Sequence, residues 1–552
     1  MKRYIIYTLL TVCCSLSAFG QTIYDAASLT EKDLNGTARF VSMGGAMSAL
    51  GGDLSVMATN PAGIGIYRSN DAALSFGLAV NDMESNYRGS LFDKSKTRGS
   101  FDQIGIVFAN RVGTVTALRY VNFGFGYRRA KSFHRDMLMG GSLGDYSQTF
   151  QMASQAEGLT SWGSSPYTND NIGWLSILGY DSYLITDLVS ESDASDYDDV
   201  EEYTLNGEQV SNTDGELMYR TPGYYRGMYT DGTAYFLSRE RGGIDEFDFN
   251  VSANYNDRVY LGVTFGVYAV NYKKYSYYSE DYGNSEGYYL KSWSKISGAG
   301  MDVKFGLIFR PVETSPFRIG LAVHTPVFYD LDYKTRARVT SDVLNYLDTE
   351  NESGVGSGKI GQYTIDTRDV LGGSMARSFR LRTPWTFNLS LGHTVGRNWA
   401  FGAEYEYQDY SSVKFKDLNG HSSVFAYENS TRGDLRGVST FRVGIEFKPE
   451  TAVSIRLGYN YRSSIFEREA YKDLPYNSIQ TDTDFSNLRS LHAVTAGLGY
   501  RGKRFYGDVA YSYTHRSSDF YPIDFYDGYS LVRSTDETQV RHRLIFTLGV
   551  KL

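Results

Sequence analysis

Two stretches of the chain carry residue types that perform chemistry in other proteins. In Ser48–Tyr67, Gly51 and Gly52 precede Asp53, a short apolar run follows, and Asn60-Pro61-Ala62-Gly63 closes the stretch. Paired glycines free backbone N–H groups to cradle a phosphate, but that use needs a strand before the loop and a helix with Lys-Ser/Thr after it. Neither is present. Between Glu191 and Tyr203, seven carboxylates fall within thirteen residues. They lack the ordered ligand spacing and turn glycine of a calcium loop, so a solvated loop is expected and no metal or cofactor. The seven histidines (134, 324, 393, 421, 492, 515 and 542) show no metal-ligand spacing. His393 and His492 fall on apolar rows where a lipid-facing hydrolase would place a Ser–His pair. No partner is visible by spacing, and no enzyme is expected.

The remaining charged cluster is Glu404, Glu406, Arg442, Glu446 and Arg456. These residues occupy alternate positions on three consecutive segments, so each segment presents them on one face. Two readings follow: a lattice of ion pairs across neighbouring strands, or a route for a charged solute.

The segments that would position them alternate apolar and polar residues with period two. Leu74, Phe76, Leu78 and Val80 make one row; Val259, Leu261, Val263, Phe265 and Val267 another; Trp385, Phe387, Leu389 and Leu391 a third; Leu544, Phe546, Leu548, Val550 and Leu552 the last. Tyr260, Gly262 and Thr264, or Asn388 and Ser390, lie on the opposite faces. A soluble sandwich would alternate in the same way. The connections decide. Short turns at 110–113, 256–258, 311–316, 396–398, 448–451 and 501–503 alternate with polar excursions of roughly 20 to 120 residues, which is the connection pattern of an outer-membrane barrel. Strands are expected near 72–82, 101–109, 115–128, 246–256, 259–272, 297–310, 317–330, 379–395, 399–412, 438–448, 452–463, 489–501, 504–516 and 539–552. The expected fold is therefore all-β: a transmembrane antiparallel barrel of about fourteen strands over residues 71–552, apolar rows to lipid and charges to the lumen.

Composition agrees. The chain holds 47 tyrosines and 57 glycines against ten prolines, with aromatics at 15%, and Tyr suits both pleated surfaces and membrane interfaces. A net charge of -8 argues against nucleic acid as a partner. Residues 1–20 read as a signal peptide: Lys2 and Arg3, an apolar run, then Ala18-Phe19-Gly20 before the cut. Both cysteines, Cys13 and Cys14, fall inside it, so the mature chain is expected to hold no disulfide.

Residues 21–70 do not alternate. Phe40, Met43 and Met47 are spaced as on a helix, and Asp53 could cap a second short turn that Pro61 ends. A segment of this size before an even-stranded barrel is expected to sit inside it as a plug. "GGDLSVMATNPAGIG" resembles the N-terminal hatch of the FadL/TodX outer-membrane transporters, whose hatch carries Asn-Pro-Ala. The resemblance covers signal, hatch and barrel. It implies a fourteen-stranded barrel, passive uptake of long-chain fatty acid-like or aromatic molecules, and a lateral exit after a hatch rearrangement. It also implies hatch roles for Gly51, Gly52, Asn60, Pro61, Ala62 and Gly63. The chain departs from the family in ending at Leu552 rather than Phe, and in placing its longest loop early, at 129–245.

In that loop, residues 142–158 are expected to form an amphipathic helix capped by Ser142, with Leu143, Tyr146, Phe150 and Ala153 on one face and Gly158 at its end. Trp174, Leu175, Ile177 and Leu178 follow. These apolar residues either pack on themselves or form a capture groove, for which Phe150, Trp174, Leu175 and Leu178 are the candidates. The expected protein is a monomer in the outer membrane of a Gram-negative bacterium. Its partners would be surrounding lipid and lipopolysaccharide and a hydrophobic small molecule within. The alternatives are a haem-binding receptor and a structural or adhesin barrel.

Overall fold

The computed structural model describes residues 20–113, 116–197, 199–205, 208–212, 215–227, 232–283, 286–343, 363–472, 474–523 and 533–552. The proposed signal peptide and Asp198 of the acidic run lie outside them. Fourteen antiparallel strands close into a barrel. They are β1 (Asp71–Tyr87), β2 (Ser90–Arg111), β3 (Leu118–Ser132, resuming as Arg135–Ser142), β4 (Thr233–Tyr255), β5 (Val259–Gly283), β6 (Glu286–Phe309) and β7 (Arg318–His324 and Phe328–Asp342). Next come β8 (Met375–Arg382 and Thr386–Val395), β9 (Trp399–Asp409), β10 (Gly437–Phe447), β11 (Val453–Arg462), β12 (Phe485–Arg501), β13 (Phe505–Tyr521) and β14 (Thr535–Lys551). Closure comes from β1 pairing with β14, from Asp71 opposite Lys551 to Asn86 opposite Asp536. At this seam no strand edge is left for lipid to meet.

The alternation sorts the side chains as the sequence implies. On β8, Phe387 is 51% exposed while its neighbour-but-two Ser390 is 1% exposed. Leu261, Val263 and Phe265 face outward, whereas Tyr260 and Thr264 are buried. In water the outward band would be a liability; against acyl chains it is the required surface. Prolines account for the breaks in β7 and β8: Pro326 and Pro384 lack the N–H a ladder needs, and Thr383 bridges the interruption, its Oγ1 accepting from Val327 N at 2.8 Å and its own N–H donating to Val327 O at 3.1 Å.

Strand height is uneven. β9, β10 and β11 have 11, 11 and 10 residues, about what a bilayer needs. β4, β5 and β6 have 23, 25 and 24 residues and rise far beyond it. Several expected loops are therefore strand. The stretch 83–100 is a hairpin turning at Arg88 (φ 50°) and Gly89 (φ 91°), the left-handed pair of a two-residue hairpin turn. The loop expected at 129–245 shrinks to 143–232, because β3 runs to Ser142 and β4 starts at Thr233.

At the long-loop end, 143–232 folds back as a lid. Helix α3 (Gln148–Ala156) and helix α4 (Trp174–Asp181), counted after α1 (Ile23–Thr30) and α2 (Ala38–Ser42) of the hatch, pack Met152, Trp174, Leu175, Ile177 and Leu178 against barrel residues such as Tyr288, Leu290 and Val339. The cap of α3 is Ser147, whose hydroxyl accepts from Thr149 N, not the expected Ser142, which belongs to β3. Gly158, at φ 80°, follows the helix end as expected.

Candidate functional site

The hatch fills the short-turn end of the bore. Thr37 caps α2 by accepting from Phe40 N, and the helix stops at Gly44 and Gly45, both with φ in the left-handed region. Asp53 caps a short 3-10 turn, accepting from Ser55 N. Pro61 both ends that segment and begins a second turn, where Asn60 Oδ1 accepts from Ala62 N at 3.2 Å. Gly51 and Gly52, at φ 61° and 64°, turn the chain so that Gly52 N donates to Gly63 O at 3.1 Å. A Cβ on Gly51 would lie 2.5 Å from Ile66 Cδ1, and one on Gly63 2.7 Å from Val56 Cγ2. These glycines serve the hatch's own fold.

The wall is shaped to receive backbone. Gly392, Gly402, Gly444 and Gly458 stand opposite one another on β8 to β11, and Gly262 opposes Gly306 on β5 and β6. A Cβ on Gly402 would meet Ala46 O at 2.0 Å, on Gly444 Met43 O at 2.3 Å, on Gly306 Asn60 Oδ1 at 2.2 Å, and on Gly262 Pro61 C at 2.4 Å. Polar side chains of the wall satisfy the hatch groups pressed against it. Asn250 Nδ2 donates to Pro61 O (3.2 Å), Arg318 Nη1 to Leu50 O (2.7 Å), His324 Nε2 to Thr59 O (2.9 Å) and Thr495 Oγ1 to Ser42 O (3.1 Å). Asn60 Nδ2 donates to Leu307 O at 3.3 Å, and Ala38 N to Thr547 Oγ1 at 2.7 Å.

The five lumen charges named from sequence are brought together in two groups. Arg442 pairs with Glu404 and, at 3.1 Å, with Glu406; Arg456 pairs with Glu446 at 2.6 Å and with Asp508 at 2.6 Å. The hatch joins both, through Arg39 on Glu446 (3.1 Å) and Ser48 N on Glu404 (3.4 Å). Their partners are each other, neighbouring barrel side chains such as Asp508, Lys448 and Asn388, and the hatch, which is the lattice arrangement. Trp174, Leu175 and Leu178 are buried within the lid and Phe150 is half-buried, so the first three would reach a ligand only if the lid opened.

Beside helix α1 of the hatch, bounded by barrel strands and by residues of the β11–β12 connection such as Phe466 and Asp482, lies a cavity of about 210 Å³. Tyr24, Phe133, Tyr272, Phe466, Phe485 and Leu491 supply apolar lining; charged side chains, among them Glu31, Lys131, Lys274, Arg462, Asp482 and Arg516, supply much of the rest. A second cavity of about 250 Å³ shares Asp33, Ser132, His134, Arg541 and Arg543 with it and reaches Gly99 and Phe101. Phe101 is on the lipid-facing row. Together they fall near the lower range of small-ligand sites, about 300–1,000 Å³.

This second cavity opens because the wall is unpaired there. β2 and β3 are in register from Arg111 opposite Tyr120 up to Gln103 opposite Arg128, and above that no residue pairs between them. β2 stays on β1 as far as Ser90. β3 bends at Phe133 and His134 and follows β4. Its continuation leans inward: Met137 and Met139 are buried, and Asn81 Nδ2 of β1 donates to His134 O at 3.3 Å. Sequence reasoning missed this gap because a missing ladder is a non-local fact. It missed Glu31 too, although Arg462 and Arg516 lie on the lumen rows set by Arg456 and Asp508.

On the outer face, His492 Nε2 is 3.2 Å from Ser490 Oγ, and its Nδ1 is 2.8 Å from Tyr459 OH. Tyr511 and His542 repeat the Tyr–His contact at 2.7 Å without a serine. The repetition fits an interfacial aromatic girdle.

The description "Outer membrane protein transport protein (OMPP1/FadL/TodX)" belongs to the family model that matches residues 295–518, so the FadL/TodX resemblance holds over the second half of the barrel. A search of curated proteins found none that matches. Among solved structures, the toluene transporter TodX of P. putida is 12% identical with a TM-score of 0.44, over 94% of this chain and 99% of that one. A Pseudomonas aeruginosa FadL homologue is 11% identical (TM-score 0.45, covering 94% and 98%). The toluene transporter TbuX of Ralstonia pickettii is 14% identical (TM-score 0.43, covering 93% and 98%).

Proposed function

We propose that this chain, carrying a FadL/TodX-type segment over 295–518, is an outer-membrane channel that passes hydrophobic molecules without energy input and releases them sideways into the bilayer. The observation that carries the reading is the unpaired stretch of wall between β2 and β3, with a cavity running from the bore to Phe101. An apolar solute leaving such a bore through water would pay about 25 cal/mol per Å² of surface re-exposed. A side exit at membrane height avoids that exposure. The rim also carries Arg98, Arg129, Arg541 and Arg543 against Asp33 and Asp102, an excess of positive charge that favours fatty acid-like solutes over neutral aromatic ones. The short turns would face the periplasm and the lid the medium, as in barrels generally.

The test fills the gap. A Cβ on Gly99 would meet nothing closer than Gly77 O at 4.0 Å, so Gly99→Trp adds bulk at the opening without strain. Uptake of a labelled long-chain fatty acid by cells or proteoliposomes is expected to fall at least tenfold, while the heat-dependent gel mobility of the folded barrel stays unchanged. Undiminished uptake by the variant would rule out this exit.

A further inference from the structure

We infer that Lys273, Lys295 and Lys334, on the outward face of the barrel, bind the phosphate of a phosphorylated glycolipid in the outer leaflet, with Tyr275 and Trp293 as the platform for its sugar. The inference rests on the reading of an outer-membrane channel with its lid toward the medium, and adds a lipid site on the outside of the wall.

The register of the sheet creates the site. Lys273 of β5 stands directly opposite Lys295 of β6, and Lys295 directly opposite Lys334 of β7. Within each strand the lysine belongs to an ordinary alternating row. Asn271, Lys273 and Tyr275 continue the face of Phe265, and Trp293, Lys295 and Ser297 that of Met301 and Phe305. Side chains directly across a ladder stand about 4.5–5.5 Å apart at Cβ, and like charges placed there repel. Lysines often guard the exposed edge of a sheet, but β5, β6 and β7 are each paired on both sides at this height. No edge needs guarding here.

Among the described residues, none of the three lysines has an ion pair or a side-chain hydrogen bond. Inward-pointing Lys274, the next residue, gives the contrast: Asp482 and Asp484 lie 2.7 and 2.9 Å from its Nζ. The flanking cations are also matched. Arg241, opposite Lys273 on β4, is met by Asp136, and Arg336, next above Lys334 on the same face, by Asp366. Asp332, next below Lys334, accepts from Ser378 Oγ and pairs with none of the lysines. An anion from outside the chain is what the row calls for.

Height identifies that anion. Met301 and Phe328 stand opposite each other, 55% and 54% exposed, in the upper apolar row. The lysines lie six residues beyond it on their strands, roughly 15 Å higher at the usual rise and tilt. That is the head-group layer. Lysine binds phosphate as a point charge, and basic clusters at this level bind anionic lipid head groups. Just below the row, Asn271 and Ser297 stand opposite each other and offer hydrogen bonds to ester or amide groups. Just above it, Tyr275 and Trp293 stand opposite each other with ring centroids 5.5 Å apart. Each ring pairs an apolar face with a polar edge, which suits a sugar. The acyl chains of the same molecule would run down over Met301 and Phe328.

The test uses the full-length protein in detergent with three probes: lipid A, lipid A freed of its phosphates, and inorganic phosphate. Native mass spectrometry of the unaltered protein is expected to show lipid A retained at least tenfold better than its dephosphorylated form. Equal retention would overturn the site, and so would complete displacement of lipid A by inorganic phosphate. The triple variant Lys273→Gln, Lys295→Gln, Lys334→Gln is expected to lose the retention at least tenfold. Arg501→Gln with Lys503→Gln and Arg504→Gln, which removes the same charge at the short-turn end, should keep it. Equal losses in both variants would reduce the effect to net charge and overturn the site. Lipid A should raise the unfolding temperature of the unaltered protein and leave that of the lysine variant where it was; equal rises would count against the site. Fatty acid uptake by the lysine variant separates the two readings. Lost lipid A retention with normal uptake supports the site and leaves the channel standing, whereas lipid A retained by an unaltered protein that takes up nothing faults the channel alone.

Discussion

At the short-turn end the bore is filled by backbone: Met43 O, Ala46 O and the Pro61 carbonyl carbon press against glycines of the wall, and side chains of β3, β4, β7 and β12 supply donors to the carbonyls. At the long-loop end it is filled by side chains: Trp174, Leu175, Ile177 and Leu178 pack among Tyr288, Leu290 and Val339. Both regions exclude water and both bury apolar side chains, Phe40, Val41, Met43, Met47 and Met57 in the hatch as Trp174 and Leu175 in the lid. The hatch adds backbone-to-glycine contacts and side-chain donors spread round the wall, each hydrogen bond contributing about 0.5–1.5 kcal/mol net, whereas the lid rests chiefly on apolar burial. The two closures are held by different contacts and should fail separately.

The sharpest way to break this comparison is Gly402→Val. Its Cβ would stand 2.0 Å from Ala46 O, backbone against backbone, which neither side can relieve by a rotamer change. The hatch is expected to be expelled entirely, seen as protease cleavage within 36–67 and leakage of a water-soluble dye, while the barrel stays folded. A protected hatch in this variant would show that glycine contact does not seat it. The next effect is Trp174→Ala. Trp174 is 1% exposed and its indole donates to Tyr167 O at 3.2 Å; removing it should cost the lid about 3–5 kcal/mol, read as faster exchange over 148–181. Exchange in 36–67 should not change, and a matching rise there would mean that the two closures are one unit.

The smallest effect concerns pH. Glu428, buried in the loop between β9 and β10, has its carboxyl pushed up by burial to about 7. A raised folded-state value means that stability is full below the ordinary carboxylate range and declines as pH rises through about 7. Between pH 5 and 8 this loop should lose on the order of 1–3 kcal/mol, and Glu428→Gln should abolish the dependence. Exchange rates over 423–435 at the two pH values measure it; a flat profile in the unaltered protein would sink the assignment.

Much of the membrane-embedded barrel was legible because lipid imposes period two on every strand: the rows of Leu261 and Phe387 face outward as written. The strand extensions were not, since above the bilayer both faces meet water or lid and the apolar rhythm stops, as in 83–100. The charges on β9 to β11 were legible by parity, and so was the hatch turn at Asp53 by capping chemistry; the turn that Asn60 caps was not. Helix α1 was missed; its capping box, with Asp25 Oδ2 accepting from Thr22 N at 2.9 Å, is the signal that marks it. The ion-pair cluster of Lys131, Arg462 and Arg516 around Glu31 joins residues 100, 431 and 485 positions from it, a proximity that only the register of the closed sheet creates.

That register bears on biogenesis. The first segment to leave the ribosome after residue 20 makes its hydrogen bonds with Asn122, Asn250, Arg318, Thr495 and Thr547, spread around the ring to its final strand. The cork cannot be completed before the cylinder is sewn shut, nor threaded in afterwards past the seam of β1 and β14 at no cost. A segment near one end of the sequence is thereby the part whose final contacts wait for the whole ring.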